Sequence, residues 1–98
     1  MRSEGGRDAA MREEPIGRII HYWPKAGSAQ VELNETVLKV GDKLHIRGHG
    51  HDLIQFVESL EIDHRAKSEG WPGEHVAIAV MEPVRENDEV FRIREERA

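Results

Sequence analysis

The sequence predicts an all-β protein: a small closed six-stranded Greek-key β-barrel at residues 15–98, preceded by a disordered N-terminal tail at residues 1–14. Three observations lead there. Apolar and polar residues alternate in short runs, Gly and Pro separate the runs, and no stretch of a dozen residues holds a helical period. Closure into a barrel would hide the sheet edges that an open sheet leaves exposed.

The elements follow in order. "MRSEGGRDAAMREE" has no apolar segment and reads as a solvated tail. Met11 within it is an alternative start, because "MREEPIGRII" runs straight into the first strand. "IGRIIHY", residues 16–22, is β-branched and aromatic and forms strand one. "SAQVEL" alternates Ala29, Val31 and Leu33 with polar neighbours. "KLHIR" offers Leu44 and Ile46. "IQFVESLEI", residues 54–62, reads as one strand with Phe56, Leu60 and Ile62 on a shared face and Glu58 as a misfit. "HVAIAV" contributes Val76, Ile78 and Val80, and "EVFRIR" contributes Val90 and Ile93 with Phe91 out of phase. "HRAKSEG", residues 64–70, has room for a single helical turn.

A small signature recurs ahead of three strands: "VGDKLHI" at 40–46, "PGEHVAI" at 72–78 and "ENDEVFRI" at 86–93. Gly or Asn tolerates positive φ, and the acid after it can accept bonds from nearby backbone N–H groups. Asp42, Glu74 and Asp88 are therefore expected to shape turns rather than to catalyse. The spacing is uneven, so the recurrence is a turn device and not a solenoid repeat.

At 98 residues the chain is one small domain. It has no cysteine, which removes disulfides, thiolate metal sites and cysteine nucleophiles together. Nothing approaches the roughly 20 apolar residues of a membrane helix. A cytoplasmic location is the expectation, with no membrane partner and no cofactor. The net charge is -5 and unevenly spread. Residues 15–50 hold five Lys or Arg against three Asp or Glu, whereas residues 51–98 hold twelve acids against six bases. Non-specific nucleic-acid binding runs on phosphate neutralisation, so only the first half is suited to it.

Candidate chemistry starts with "IRGHGHD", residues 46–52. His49 and His51 are metal candidates if the strand runs straight, with His45 in phase and Asp52 adjacent; Gly48 and Gly50 favour a loop between strands instead. No serine lies in a G-x-S-x-G elbow, and Ser59, Asp63 and His64 alternate faces on a strand, so catalytic residues are none. The carboxylate pairs Glu82–Glu86 and Glu58–Glu61 need a cleft that a small filled barrel lacks. The cluster "RIIHYWPK", residues 18–25, sets aromatics beside cations, the pattern by which β-barrels hold single-stranded RNA. The binding candidates are Arg18, Tyr22, Trp23, Lys25, Arg47 and His49. The alternative for the aromatics is that Trp23 and Trp71 plug the two barrel ends.

The motifs "LKVGDKLHIRG" (38–48), "VESLEIDH" (57–64), "SEGWPGEHVAI" (68–78) and "PVRENDEVFRI" (83–93) occur in an order that resembles domain 2 of translational GTPases such as elongation factor Tu. Val40, Gly41 and Asp42 match that family's first turn; Val57, Ser59 and Glu61 its crossing strand; Gly73, Glu74, Val76 and Ile78 its last turn. The likeness runs from about Ile16 to Ile93. The whole chain is similar to stand-alone translation elongation factor-like proteins, and also to the C-terminal barrel of some collagenase-like peptidases. The resemblance implies a non-catalytic binding module that contacts tRNA, the ribosome or other RNA. No G-x-x-x-x-G-K-[ST] loop is present, so nucleotide hydrolysis does not carry over. Trp71 and Pro72 depart from the family's small and polar residues at that point. The rival expectation is an adaptor that docks on a partner enzyme, and the third is histidine-based metal binding.

Overall fold

The computed structural model describes residues 10–96, with the side chains of residues 12–94. Ten strands follow one another: β1 (Ala10–Trp23), β2 (Ser28–Leu33), β3 (Leu38–Lys39), β4 (Lys43–Gly48), β5 (His51–Phe56), β6 (Leu60–Ile62), β7 (Arg65–Lys67), β8 (Glu69–Gly70), β9 (His75–Ala79) and β10 (Glu89–Glu96). Eight of them form one sheet in the order β5-β4-β10-β1-β2-β9-β6-β7, and β3 pairs with β8 separately. The all-β class holds, with no helix among the described residues. The expected six-stranded closed barrel differs: the main sheet has eight strands, and no ladder joins β5 to β7.

One core cluster fills the inner face, drawn from Ile16 and Ile19, Val31 and Leu33, Leu44 and Ile46, Leu53, Leu60, Val76, Ile78 and Val90. β2 shows why the period-two reading works, since Ala29, Val31 and Leu33 are buried while their neighbours are half-exposed. Each such side chain removed from water contributes about 1.5–3 kcal/mol, which makes this face the main driving force.

β1 starts at Ala10, inside the expected tail of residues 1–14; residues 1–9 lie outside the described residues. The early part of β1 pairs with β10 from Ala10↔Glu96 to Pro15↔Phe91. Charge pairs across the ladder hold it, with Glu14 Oε1 3.0 Å from Arg92 Nη2 and 3.8 Å from Arg94 Nη1. β1 then bulges at Pro15–Gly17 against β10, and at Ile19–His21 against β2. Gly17 sits so close to β2 that a Cβ there would be 2.0 Å from the Glu32 carbonyl oxygen.

The three turn carboxylates act alike. Asp42 accepts from the Lys39 N–H at 2.9 Å, Glu74 from the Trp71 N–H at 2.7 Å and Asp88 from the Arg85 N–H at 2.9 Å. The residue before each acid has positive φ: Gly41 at 98°, Gly73 at 92° and Asn87 at 74°.

Three local expectations need correction. Residues 54–62 do not form one strand, because β5 ends at Phe56 and β6 begins at Leu60. Within β5 the buried set is Leu53 and Gln55, so Phe56 points outward and is 57% exposed. Residues 64–70 hold no helical turn; β6 and β7 form a hairpin through Asp63 (φ 54°) and His64 (φ 65°). Asp and His are among the side chains that best tolerate that conformation. Finally, Trp23 (37% exposed) and Trp71 (55% exposed) plug nothing. The aliphatic core already fills the interior, and the Trp71 indole N–H donates outward to Glu69 Oε2 at 2.8 Å.

Two polar side chains close the gaps the core leaves. Gln55 is only 5% exposed. Its Nε2 donates to the Ala79 carbonyl at 2.8 Å and its Oε1 accepts from the Met81 N–H at 2.8 Å. One carboxamide thus stands in for a peptide group across the seam between β5 and the end of β9. Arg92 is largely buried and uses all three guanidinium nitrogens. It donates to Glu14 Oε1 at 3.0 and 3.1 Å, to Thr36 Oγ1 at 2.9 Å, to Asp42 Oδ2 at 3.1 Å and to the Val37 carbonyl at 2.5 Å. Burial works to lower its pKa, but the bonds to Glu14 and Asp42 and their charges outweigh it and raise the value.

Candidate functional site

The histidine stretch is a hairpin. Gly48 pairs with His51, leaving His49 and Gly50 at the tip between β4 and β5. His49 is exposed to solvent. His51 turns the other way, its Nε2 2.8 Å from Oδ2 of the buried Asp88. Gly48 makes room for that carboxylate, since a Cβ there would be 2.2 Å from Asp88 Oδ1. The turn separates the two candidate metal ligands, His49 and His51. Among the described residues no group of three or more His, Cys, Asp or Glu side chains is arranged to hold a metal ion.

His45 is the histidine with the most defined surroundings. Its Nδ1 is 2.9 Å from Glu13 Oε2 and its Nε2 is 2.6 Å from Asp52 Oδ1. Burial works to lower its pKa, but the hydrogen bonds to Asp52 and Glu13, and their charges, raise it above the ordinary 6.5. The raised pKa favours the imidazolium, which donates from both ring nitrogens, and in that form His45 clips β1, β4 and β5 together.

The six binding candidates sit in several settings, and the grooves beside Arg18 and beside Arg47 and His49 share Asn87 and Glu89. Arg18 lies on β1 and donates to Glu32 Oε1 at 3.1 Å and Asn87 Oδ1 at 3.0 Å, beside a shallow groove with Pro15 and Asn34. Tyr22 packs against the core, and Lys25 is exposed in the turn between β1 and β2. Trp23 stacks edge-on with His21, ring centroids 4.7 Å apart, and walls a groove of about 510 Å³ with Glu61, Asp63, His64, Glu74 and His75. Arg47 covers the Phe91 ring at 4.6 Å, has Glu89 at 3.6 Å, and shares a third groove with His49. The charges around these candidates are mixed rather than basic. Arg18 and Arg47 are each paired with a carboxylate, and the Trp23 groove is lined by acids that repel phosphate.

A fourth groove, of about 260 Å³, runs along the Gln55 seam between Ile54, Phe56, Val80 and Met81, with Lys43 and Glu58 at its rim. Lys43 Nζ lies 5.7 Å from the Phe56 ring centroid. This is the apolar groove of the set, and sequence reasoning missed it by placing Phe56 inside. A signal was present: Gln55 is in phase with Leu53 and Val57, just as Arg92 is in phase with Val90, so both polar residues sit where a period-two strand buries its side chains.

Comparison with known proteins overturns the translation-factor resemblance. No protein-family model matches the chain. It is 31% identical over 91 residues to an uncharacterised protease of Methanocaldococcus jannaschii, covering 92% of this chain and 22% of that protein. It is 30% identical over 88 residues to a collagenase of Porphyromonas gingivalis, covering 89% of this chain and 21% of that one. The chain therefore spans about a fifth of the length of the curated relatives it matches. In structure it is similar to the C-terminal domain of a candidate U32 peptidase of Geobacillus thermoleovorans, with TM-score 0.73, 21% identity, and coverage of 85% of this chain and 92% of that domain. A selenomethionine variant of that domain also superposes with TM-score 0.73, at 20% identity, over 79% of this chain and 96% of the domain. The expectations of a translation-related RNA-contacting module and of a non-catalytic chain are corrected by the same findings, because the matching sequences are named protease and collagenase. The sequence likeness runs to peptidases, not to translation factors, and the fold is shared with an isolated peptidase domain.

Proposed function

We propose that this chain is a U32 peptidase-type C-terminal module that takes part in polypeptide hydrolysis. One observation carries the reading: an alignment that spans 92% of this chain accounts for only 22% of a protease, so the likeness fits a discrete module of a larger peptidase. The superposition on an isolated peptidase domain, covering 96% of it, supports the same reading. We infer further that the eight-stranded sheet coils into a barrel-like unit. A single core cluster draws on strands from β4 and β5 round to β6, and Gln55 bridges β5 to the end of β9 where no ladder does.

A graft tests the function. The matching segment of the Porphyromonas gingivalis collagenase is deleted, or replaced by this chain, and hydrolysis of denatured collagen is followed. The reading expects the deletion to lose hydrolysis and the graft to restore it. A folded graft that stays at the level of the deletion overturns it.

A further inference from the structure

We propose that the edge of β5 binds an extended polypeptide segment with apolar side chains at alternate positions, which adds to the sheet as one more strand. The two edges of the sheet are not alike. β7 is three residues long, "RAK", and its Arg65 and Lys67 are the kind of charge that blunts an edge against pairing. β5 is six residues, "HDLIQF", with neither Pro nor Lys. It pairs with β4 alone among the described residues. The Val57 N–H and C=O bond to Asp42 and Gly41 on the β4 side. By alternation the peptide groups of Asp52, Ile54 and Phe56 point away from β4, and among the described residues Gln55 Nε2, at 3.3 Å from the Phe56 carbonyl, is the one side-chain donor that reaches them. Those groups are a template for an incoming strand.

The side chains beside that template are apolar and uncovered: Ile54 is 54% exposed, Phe56 57% and Met81 78%. With Val80 they line the groove of about 260 Å³, where side chains projecting from an added strand would lie. Lys43 and Glu58 at the rim carry opposite charges and select neither an acidic nor a basic peptide. Backbone pairing reads no sequence, and methionine adapts to varied shapes, so the surface suits polypeptides of many sequences rather than one fixed partner. The identity of the occupant, an unfolded peptidase substrate, rests on the peptidase reading; the edge itself does not.

The test uses the whole chain, isotope-labelled, titrated by NMR with an uncharged ten-residue peptide alternating Val or Leu with Thr. A twin peptide carries N-methyl groups on alternate amides, which removes one hydrogen-bonding edge and keeps every side chain. The expected result is shifts confined to Asp52–Phe56 and Met81, with slowed exchange of the Ile54 amide. The twin should bind at least about tenfold more weakly, the effect of two lost backbone bonds. Ile54→Pro deletes the outward N–H and should abolish binding; Phe56→Lys, which leaves the ladder intact, should weaken it if the first variant does not fold. Equal binding of both peptides, shifts centred on the Trp23 groove, or no shift at millimolar peptide each overturn the proposal. So does concentration-dependent pairing of two copies through β5, seen by sedimentation, since the edge would then serve self-association. Because no peptidase is in the tube, a negative result here is distinct from failure of the graft.

Discussion

Replacing Arg92 with Met should destabilise the fold by breaking a network that ties three segments together. The guanidinium joins β10 to β1 through Glu14, to residues 36 and 37, and to the β3–β4 turn through Asp42. Breaking a buried ion pair by removing one partner costs about 3–5 kcal/mol. Here Glu14 is 35% exposed and Asp42 22%, so water recovers part of their solvation once the arginine is gone. The Thr36 and Val37 oxygens each lose a bond worth about 1 kcal/mol. The net expectation is a loss of about 2–3 kcal/mol for Arg92→Met, half or less of a normal domain's stability. Arg92→Lys keeps the charge but not the planar fork, and should lose about 1–2 kcal/mol. Urea unfolding at neutral pH, with the slope held common to all variants, measures both; thermal unfolding should fall by about 10–20 °C for the Met variant. A Met variant within about 0.5 kcal/mol of the parent would refute the argument, because it would show that the network merely replaces bonds to water.

Further outcomes follow from other contacts. Gln55→Leu keeps the volume and removes the bridge, and should cost about 1–2 kcal/mol while the Met81 amide exchanges faster by NMR. Gly17→Ala puts a methyl 2.0 Å from the Glu32 carbonyl, so β1 and β2 must part; a loss of about 3 kcal/mol or more in urea unfolding is expected, and a neutral result would mean that the bulge is soft. The folded-state pKa of His45 is raised above 6.5, so its stabilisation is complete below that value and is lost as pH rises through the folded value. The gap in stability between the parent and His45→Gln should therefore shrink as pH rises above about 6.5, and a gap independent of pH would rule the imidazolium clip out.

What could be read from the sequence was local. The turn acids Asp42, Glu74 and Asp88 were legible because donor and acceptor lie three residues apart. β2 and β9 were legible because apolar residues keep strict alternation. What failed depended on distant partners. The first five residues of β1 look like tail because their stabilising charges, Arg92 and Arg94, come about eighty residues later in the chain. Gln55 and Arg92 look outward-facing because polarity usually signals water; both are held inside by bonds to segments that local pattern cannot foresee. Phe56 was placed inside for the mirror-image reason, and with it went the groove and the edge. The candidate site was legible in its residue types, but not in its surroundings, since the carboxylates that pair with Arg18 and Arg47, Glu32 and Glu89, come from other strands.

The pairing of Ala10 with Glu96 also has a mechanical consequence. Tension between those two points acts across the β1–β10 ladder at its open end, where each hydrogen bond lies along the pull and is loaded one after another. Such a ribbon peels like a zip, rung by rung, until it meets the fourth and fifth rungs. There Glu13 is held by His45, and Glu14 faces Arg92. Force drawn through a longer chain would open the rungs ahead of that double clip and stop there, leaving the core and the seam beyond it unstrained.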